Sequence, residues 1–357
     1  MSAAAKDRRP TIVLVGGFLG AGKTTLILKA ARILEQRGLR SAVILNDQGE
    51  ELVDTQLARQ HGLRAGEVTG GCFCCRLSSL TAVIDKMREF APDVLFAEPV
   101  GSCTDISATV LNPLREEFER YRVAPFSVLV DPARAAELLE EGPETDLGFL
   151  FHNQLAEADL VCLTKSDLYP DAPEIPGVVC ARLSAKTGEG VARWLDEVLL
   201  GSLPAGGKIL EIDYTRYAEA EAALAWLNLS FQYEPHEGAS PALVIGPLLD
   251  GLDRAMTAAS IPIVHLKAMD SSPEGWLKAA LCANGAEPRL EGSLDASPST
   301  RHQVLVNLRA QCSPDAARRI AEEELGKMAG TKSEIRLDCF SPSPPKPERR
   351  AATPFAI

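Results

Sequence analysis

The chain has 357 residues, 46% of them hydrophobic and 24% charged, with a formal net charge of -12. This is globular composition, long enough to favour two domains, and its excess of carboxylates disfavours a surface that neutralises a phosphate backbone, so no nucleic-acid partner is expected. The apolar run Thr11-Ile-Val-Leu-Val15 stops at Gly16-Gly17, too short for a leader or a membrane span, so a cytoplasmic chain with no membrane partner is expected.

In chain order, residues 12–15, 42–45, 94–96, 127–130, 160–163 and 178–181 read as strands, most of them continuously apolar and separated by helical stretches. Such strands indicate a mostly parallel sheet covered on both faces, the α/β class. The stretch Gly-Ser-Leu-Pro-Ala-Gly-Gly at 201–207 has linker composition, which sets a first domain at 1–205. Beyond it the pattern predicts strand 226–233, helix 242–258, strands 263–267, 276–282 and 303–308, helix 314–328 and a short strand at 335–337. That order suits a smaller α+β domain over 206–340, of the split βαβ, ferredoxin-like kind. The tail, SPSPPKPERRAATPFAI at 341–357, is rich in proline and poor in aliphatics, and is expected to be disordered.

Directly after the first strand stands Gly17-Phe-Leu-Gly-Ala-Gly-Lys-Thr24, a full match to G-x-x-x-x-G-K-[ST]. Backbone N–H groups must converge on phosphate oxygens at a helix N-terminus, and only glycine permits that approach. Gly17, Gly20, Ala21, Gly22, Lys23, Thr24 and Thr25 therefore form the expected phosphate cradle of a P-loop protein. Lys23 would reach the β- and γ-phosphates and act in catalysis, and the Thr24 hydroxyl would ligate Mg²⁺. Glu98-Pro-Val-Gly101 follows the strand at 94–96. There Glu98 is placed to act on Mg²⁺ and Gly101 to offer its N–H to a γ-phosphate.

Thr164-Lys-Ser-Asp167 follows the strand at 160–163, where a guanine-reading segment of the T/NKxD kind should lie, with Lys165 inside it. The Asp167 carboxylate can accept from guanine N1–H and its amine, whereas adenine presents an acceptor at N1, so GTP is expected over ATP. Ser184-Ala185-Lys186 stands where a second base-contacting loop belongs.

Gly71-Cys-Phe-Cys-Cys75 puts three thiols within four residues. Thiolates suit Zn²⁺ or another thiophilic ion, and Cys72, Cys74 and Cys75 still need a fourth ligand; a redox-active thiol cluster is the competing reading. Cys103, just after the Glu98 segment, reads equally as that ligand or as a small buried residue. The other cysteines lie mostly in apolar strand patterns and read as structural.

These residues carry a resemblance. GGFLGAGKTT at 16–25, NDQGE at 46–50, GGCFCC at 70–75, EPVG at 98–101 and QLAEADLVCLTKSDL at 154–168 resemble the CobW-type metallochaperone GTPases, relatives of HypB and UreG. The resemblance implies GTP hydrolysis coupled to delivery of a transition metal to a client metalloprotein, and it leaves room for a homodimer. It matches Cys72, Cys74 and Cys75 to metal-binding thiols and Glu50 to the acidic end of a switch segment. Asp47 falls where relatives place an acidic residue that senses Mg²⁺ or positions the attacking water. Glu50 or Cys103 is then the expected fourth metal ligand. Two departures stand out: Thr164 replaces the usual Asn, and His265-Leu-Lys267 is the nearest approach to the family's basic motif in the second domain. The rival readings are a GTPase chaperone for an organic cofactor such as that of a corrinoid enzyme, and a P-loop small-molecule kinase.

Overall fold

The computed structural model describes residues 9–49, 53–117, 119–175 and 177–355. The chain divides into two units, the first holding residues up to Gln48, Asp54–Tyr217 and the tail from Pro345, the second Gly49–Val53 and Ala218–Pro344. The division at Tyr217 falls beyond the glycine-rich stretch at 201–207.

In the first unit β1 (Thr11–Gly17), α1 (Lys23–Gln36), β2 (Ser41–Asn46), α2 (Val53–Gln60), β3 (Arg64–Val68), α3 (Leu77–Arg88) and β4 (Val94–Glu98) follow one another. A π-helical turn, Ser107–Leu111, then leads into α4 (Asn112–Arg115). After it come β5 (Arg122–Val123), β6 (Ser127–Val130), α5 (Pro132–Glu141), α6 (Asp146–Glu157), β7 (Leu160–Leu163), β8 (Cys180–Arg182), α7 (Val191–Leu200) and the first turn of α8 (Tyr214–Ala222), within which the second unit begins at Ala218. The sheet order is β3-β2-β4-β1-β6-β7-β8, with β5 against β1, and the pairs are parallel. The chain thus builds β2 to β4 on one side of β1 and β6 to β8 on the other. Parallel sheets bind ligands outside the carboxyl ends of their strands where the winding reverses, which is where β1 ends.

Local chemistry explains the elements. Ile12, Val13, Leu14 and Val15 are fully buried, as a strand covered on both faces requires. At Gly17, with φ +128°, an added Cβ would lie 2.3 Å from the Leu129 carbonyl oxygen, so β1 can approach β6 only as glycine. Asp131 caps α5 by accepting from the Ala133 N–H, and Pro132 occupies the first turn, where no N–H is needed. Strand β3, Arg-Ala-Gly-Glu-Val, was not expected. It is a polar edge strand without an apolar run, and its pairing with β2 defines it.

The second unit contains β9 (Ala225–Glu234), α9 (Pro241–Ala258), β10 (Ile263–Ser272), β11 (Gly275–Leu281), β12 (Arg289–Gly292), β13 (His302–Ala310), α10 (Pro314–Lys327) and β14 (Thr331–Phe340). Its sheet is antiparallel, in the order β12-β11-β10-β13-β9-β14. With β13 inserted between β9 and β10, this is the expected split βαβ arrangement, extended by the β11–β12 hairpin. Leu227, Phe231, Leu248, Leu252, Leu266 and Val306 form part of the core between the sheet and its helices. Val53 also belongs here: its N–H donates to Asn307 Oδ1 at 3.1 Å.

The tail corrects the sequence reading. Residues up to 355 run against the first unit, with Pro345 buried and backbone bonds from Glu348 and Ala351 to that unit's carbonyls. Hydrogen bonds and ion pairs replace the missing aliphatic burial, and prolines reduce the chain entropy lost on ordering. Among the described residues no helix is long and apolar enough to cross a membrane.

Candidate functional site

The loop between β1 and α1 carries the phosphate motif at the carboxyl edge of the sheet. Gly20 and Gly22 have φ +81° and +93°, a backbone that turns successive N–H groups to one side. The Lys23 ammonium crosses the loop to the Gly17 carbonyl at 2.9 Å and the Phe18 carbonyl at 3.4 Å. The Thr24 hydroxyl lies 3.1 and 3.0 Å from the two Glu98 oxygens, and both residues are buried. One hydroxyl and one carboxylate meeting beside a phosphate loop are a donor set suited to Mg²⁺, a hard cation. Gly101 closes over the loop: a Cβ there would sit 2.8 Å from Leu19 Cδ2 and 3.1 Å from Lys23 Nζ.

The segments at 164–167 and 184–186 meet. Ser184 Oγ donates to Asp167 Oδ1 at 2.7 Å and so orients an exposed carboxylate. Thr164, in place of Asn, ties its loop to the phosphate loop through the Ala21 carbonyl at 3.0 Å and to β6 through the Val130 carbonyl at 3.1 Å. Lys165, in the left-handed region at φ +58°, pairs with Asp131 in a buried contact. Sequence reasoning missed Asp131. Its place just after a parallel strand, at a helix cap, was the available signal.

The thiol loop follows β3. Asn46, the last residue of β2, staples it: its amide donates to the Val68 carbonyl at 2.9 Å and the Gly71 carbonyl at 2.8 Å, and its oxygen accepts from the Phe73 N–H at 2.8 Å. The Cys75 N–H closes a turn onto the Cys72 carbonyl at 3.0 Å. The sulfurs of Cys72, Cys74 and Cys75 all lie within 4.8 Å of one another. Tetrahedral zinc–thiolate coordination separates its sulfurs by about 3.8 Å; the Cys74 and Cys75 sulfurs, 3.7 Å apart, match that spacing, and the Cys72 and Cys74 sulfurs, 2.7 Å apart, would have to open to share one soft ion.

Cys103, beyond the end of β4, lies outside that mutually close trio of sulfurs and meets it at Cys72. It hydrogen-bonds Cys72, and with Cys74 and Cys75 it holds the Cys72 thiol well below a cysteine's ordinary range. The bond to Cys72 in turn pushes Cys75 up to about 11 and raises Cys74. The cluster therefore has one thiol poised to ionise first, with three donors around it. Cys72, Cys74 and Cys103 are buried, and Cys75 is half-buried.

Only Ser102 separates Cys103 from Gly101, and one side chain holds both ends of that tripeptide. Gln154 Nε2 on α6 donates to the Gly101 carbonyl at 3.0 Å and the Cys103 carbonyl at 2.9 Å. Glu157, one helical turn on, accepts from the Ser107 N–H at 2.9 Å and the Thr104 hydroxyl at 3.2 Å. Neither contact was foreseen as a contact, although QLAEADL was singled out.

Residues 11–187, which hold all of these loops, match the model of the CobW/HypB/UreG nucleotide-binding domain. The urease accessory protein UreG of Ureaplasma parvum is 30% identical over 174 residues, 46% of this chain and 75% of that protein. The chain belongs to the CobW/HypB/UreG family. Two further relatives carry the name zinc chaperone. YjiA of Escherichia coli is 30% identical over 176 residues, 46% of this chain and 52% of its own. CobW of Pseudomonas aeruginosa is 29% identical over 236 residues, 56% of each. This CobW/HypB/UreG chain spans about half the length of these two curated relatives.

The remaining expected site residues fall as follows. Asp47 is half-buried at the end of β2, its N–H on the Val68 carbonyl at 3.2 Å. Glu50 lies outside the described residues. Within the second unit His265 is buried on β10 and Lys267 half-buried.

Proposed function

We propose that this protein is a GTP-hydrolysing metallochaperone, in which the state of the nucleotide sets the affinity of the thiol site for a thiophilic metal bound for a client metalloprotein. One observation carries the coupling: Gly101, against Lys23 Nζ, and Cys103, hydrogen-bonded to Cys72, are the two ends of a single tripeptide clasped by Gln154. A γ-phosphate drawn to the Gly101 N–H would shift that tripeptide and the Cys103 thiol with it.

Thr24 and Glu98 would hold Mg²⁺, which supplies positive charge to the phosphates. Lys23 would exchange its bonds to the Gly17 and Phe18 carbonyls for the β- and γ-phosphate oxygens, where its charge stabilises the transferred phosphoryl group. Asp47 is the candidate for placing the attacking water. Asp167, oriented by Ser184, would read guanine. Zinc or a similar ion is cargo on this reading, held by Cys72, Cys74, Cys75 and Cys103, with release of protons as the thiols ionise. The relatives named zinc chaperones support that choice of metal.

The test is a competition titration of zinc against a chromogenic chelator, run with GDP and with a non-hydrolysable GTP analogue. The unmutated protein should show a different affinity in the two states, and Cys74→Ser should weaken both. Identical affinities in the two states would remove the coupling, and unchanged affinity in the variant would remove the thiols from the site.

A further inference from the structure

A segment from the far end of the chain lies across the thiol loop. The Lys346 N–H donates to Cys75 Sγ at 3.1 Å, and the Glu348 N–H to the Cys74 carbonyl at 3.1 Å. The Glu348 carboxylate accepts from the Ser78 N–H at 2.8 Å and the Ser78 hydroxyl at 2.9 Å, in the first turn of α3, where the helix dipole favours an anion. Arg350 donates to both oxygens of Asp105, at 2.8 and 3.2 Å. Asp105 is itself buried, with a left-handed backbone at φ +63°, two residues past Cys103. The Ala351 N–H reaches the Ala108 carbonyl at 2.9 Å, and the Phe355 N–H reaches Asn112 Oδ1 at 2.7 Å.

These contacts single out the segments that carry the thiols. Cys74, Cys75 and Asp105 are anchor points, so the tail grips the loop at 72–75 and the segment after Gly101 together. Glu348 and Arg350 sit two apart, the spacing at which side chains of an extended peptide point to one side. Cys75 is the half-buried member of the thiol group, so an incoming ligand meets the cluster from its side, and that is the sulfur the tail covers.

We propose that the face bearing the thiols is a peptide-binding surface whose resident ligand is the chain's own tail, residues 345–355. The surface takes an extended segment with a carboxylate two residues ahead of an arginine. The tail must leave before a second protein can reach the metal-binding sulfurs, and a client segment of the same chemistry displaces it by competition. The closing of this surface over Cys75 stands on its own; the consequence for metal transfer rests on the metallochaperone reading.

The experiment uses the full-length, reduced, metal-free protein. Its thiols are labelled with a small maleimide, and the rate at each cysteine is read by peptide mass spectrometry. Glu348→Ala/Arg350→Ala should raise labelling of Cys75 at least tenfold while leaving Cys282, half-buried in the second unit, unchanged. A synthetic peptide of residues 341–357 added to the double variant should restore the slow rate, and the same peptide with both residues replaced by alanine should not. Unchanged labelling of Cys75, an equal rise at Cys282, or rescue by the alanine peptide would each overturn the proposal. In a second arm the proteins are loaded with zinc, and extraction by a chromogenic chelator should accelerate in the variant by a similar factor. If zinc does not bind while the labelling results hold, the metal reading fails and the peptide surface remains.

Discussion

Asp167 is exposed and owes its orientation to the Ser184 hydroxyl. Asp167→Asn replaces one acceptor with a donor that faces guanine's own donors, so GTP affinity should fall by a few kcal/mol while ATP affinity stays unchanged. Calorimetric titration with both nucleotides checks this, and equal affinity of the unmutated protein for ATP would sink the guanine reading. Asn46 makes a second residue-level case. Asn46→Ala leaves the Phe73 N–H and the Gly71 carbonyl short of a buried partner, at about 1–3 kcal/mol each. Its urea midpoint should drop, and zinc affinity should drop with it because the thiol loop loses its staple. Unaltered zinc affinity in a destabilised Asn46→Ala would show that the loop holds its shape without β2.

At the scale of the element, α6 shows how a helix can govern a loop it only touches. Gln154 and Glu157 face the segment that runs from Gly101 to Ser107, and Glu157 is fully buried. Burial pushes its carboxyl from 4.5 up to about 8, against the opposing effect of the Ser107 N–H bond. Between those values the folded state holds a proton that the unfolded chain has released. The site's stabilisation is therefore complete below pH 4.5 and is lost as pH rises toward 8, by an amount on the order of a few kcal/mol. Glu157→Gln, neutral throughout, should lack that loss. Urea denaturation of both proteins at pH 5 and pH 8 measures it, and parallel pH profiles would place the ionised carboxylate in the folded protein.

For the whole molecule, hydrolysis should be slow. Arg134, among the described residues, lies beside the phosphate loop, but its guanidinium is engaged by Glu137 at 2.6 Å and by the Phe18 ring at 5.9 Å. GTP turnover by the isolated protein should fall well below the roughly 1–100 per second of kinases, and Lys23→Ala should abolish it. Phosphate release assays decide this, and turnover in the kinase range would make a partner-gated switch the wrong picture. The parts behind these expectations differ in how the sequence shows them. The phosphate loop, the TKSD and SAK segments and the Cys-x-Cys-Cys turn were legible because each depends on residues a few positions apart, where local backbone geometry does the work. The ferredoxin-like order of the second unit was legible because alternating burial on a sheet and the helical repeat leave different periods in the chain. Strand β3 was not, since an edge strand as polar as Arg-Ala-Gly-Glu-Val is defined by its partner. Packing alone decided that Cys103 joins Cys72, that Asn46 pins the thiol loop, and that Gln154 bridges Gly101 and Cys103. The tail shows the limit most plainly. Its composition argues for disorder, because composition counts only the apolar area a segment can bury; the bonds that order it have their partners between residues 74 and 116 and at Leu210, and only the folded chain brings those within reach.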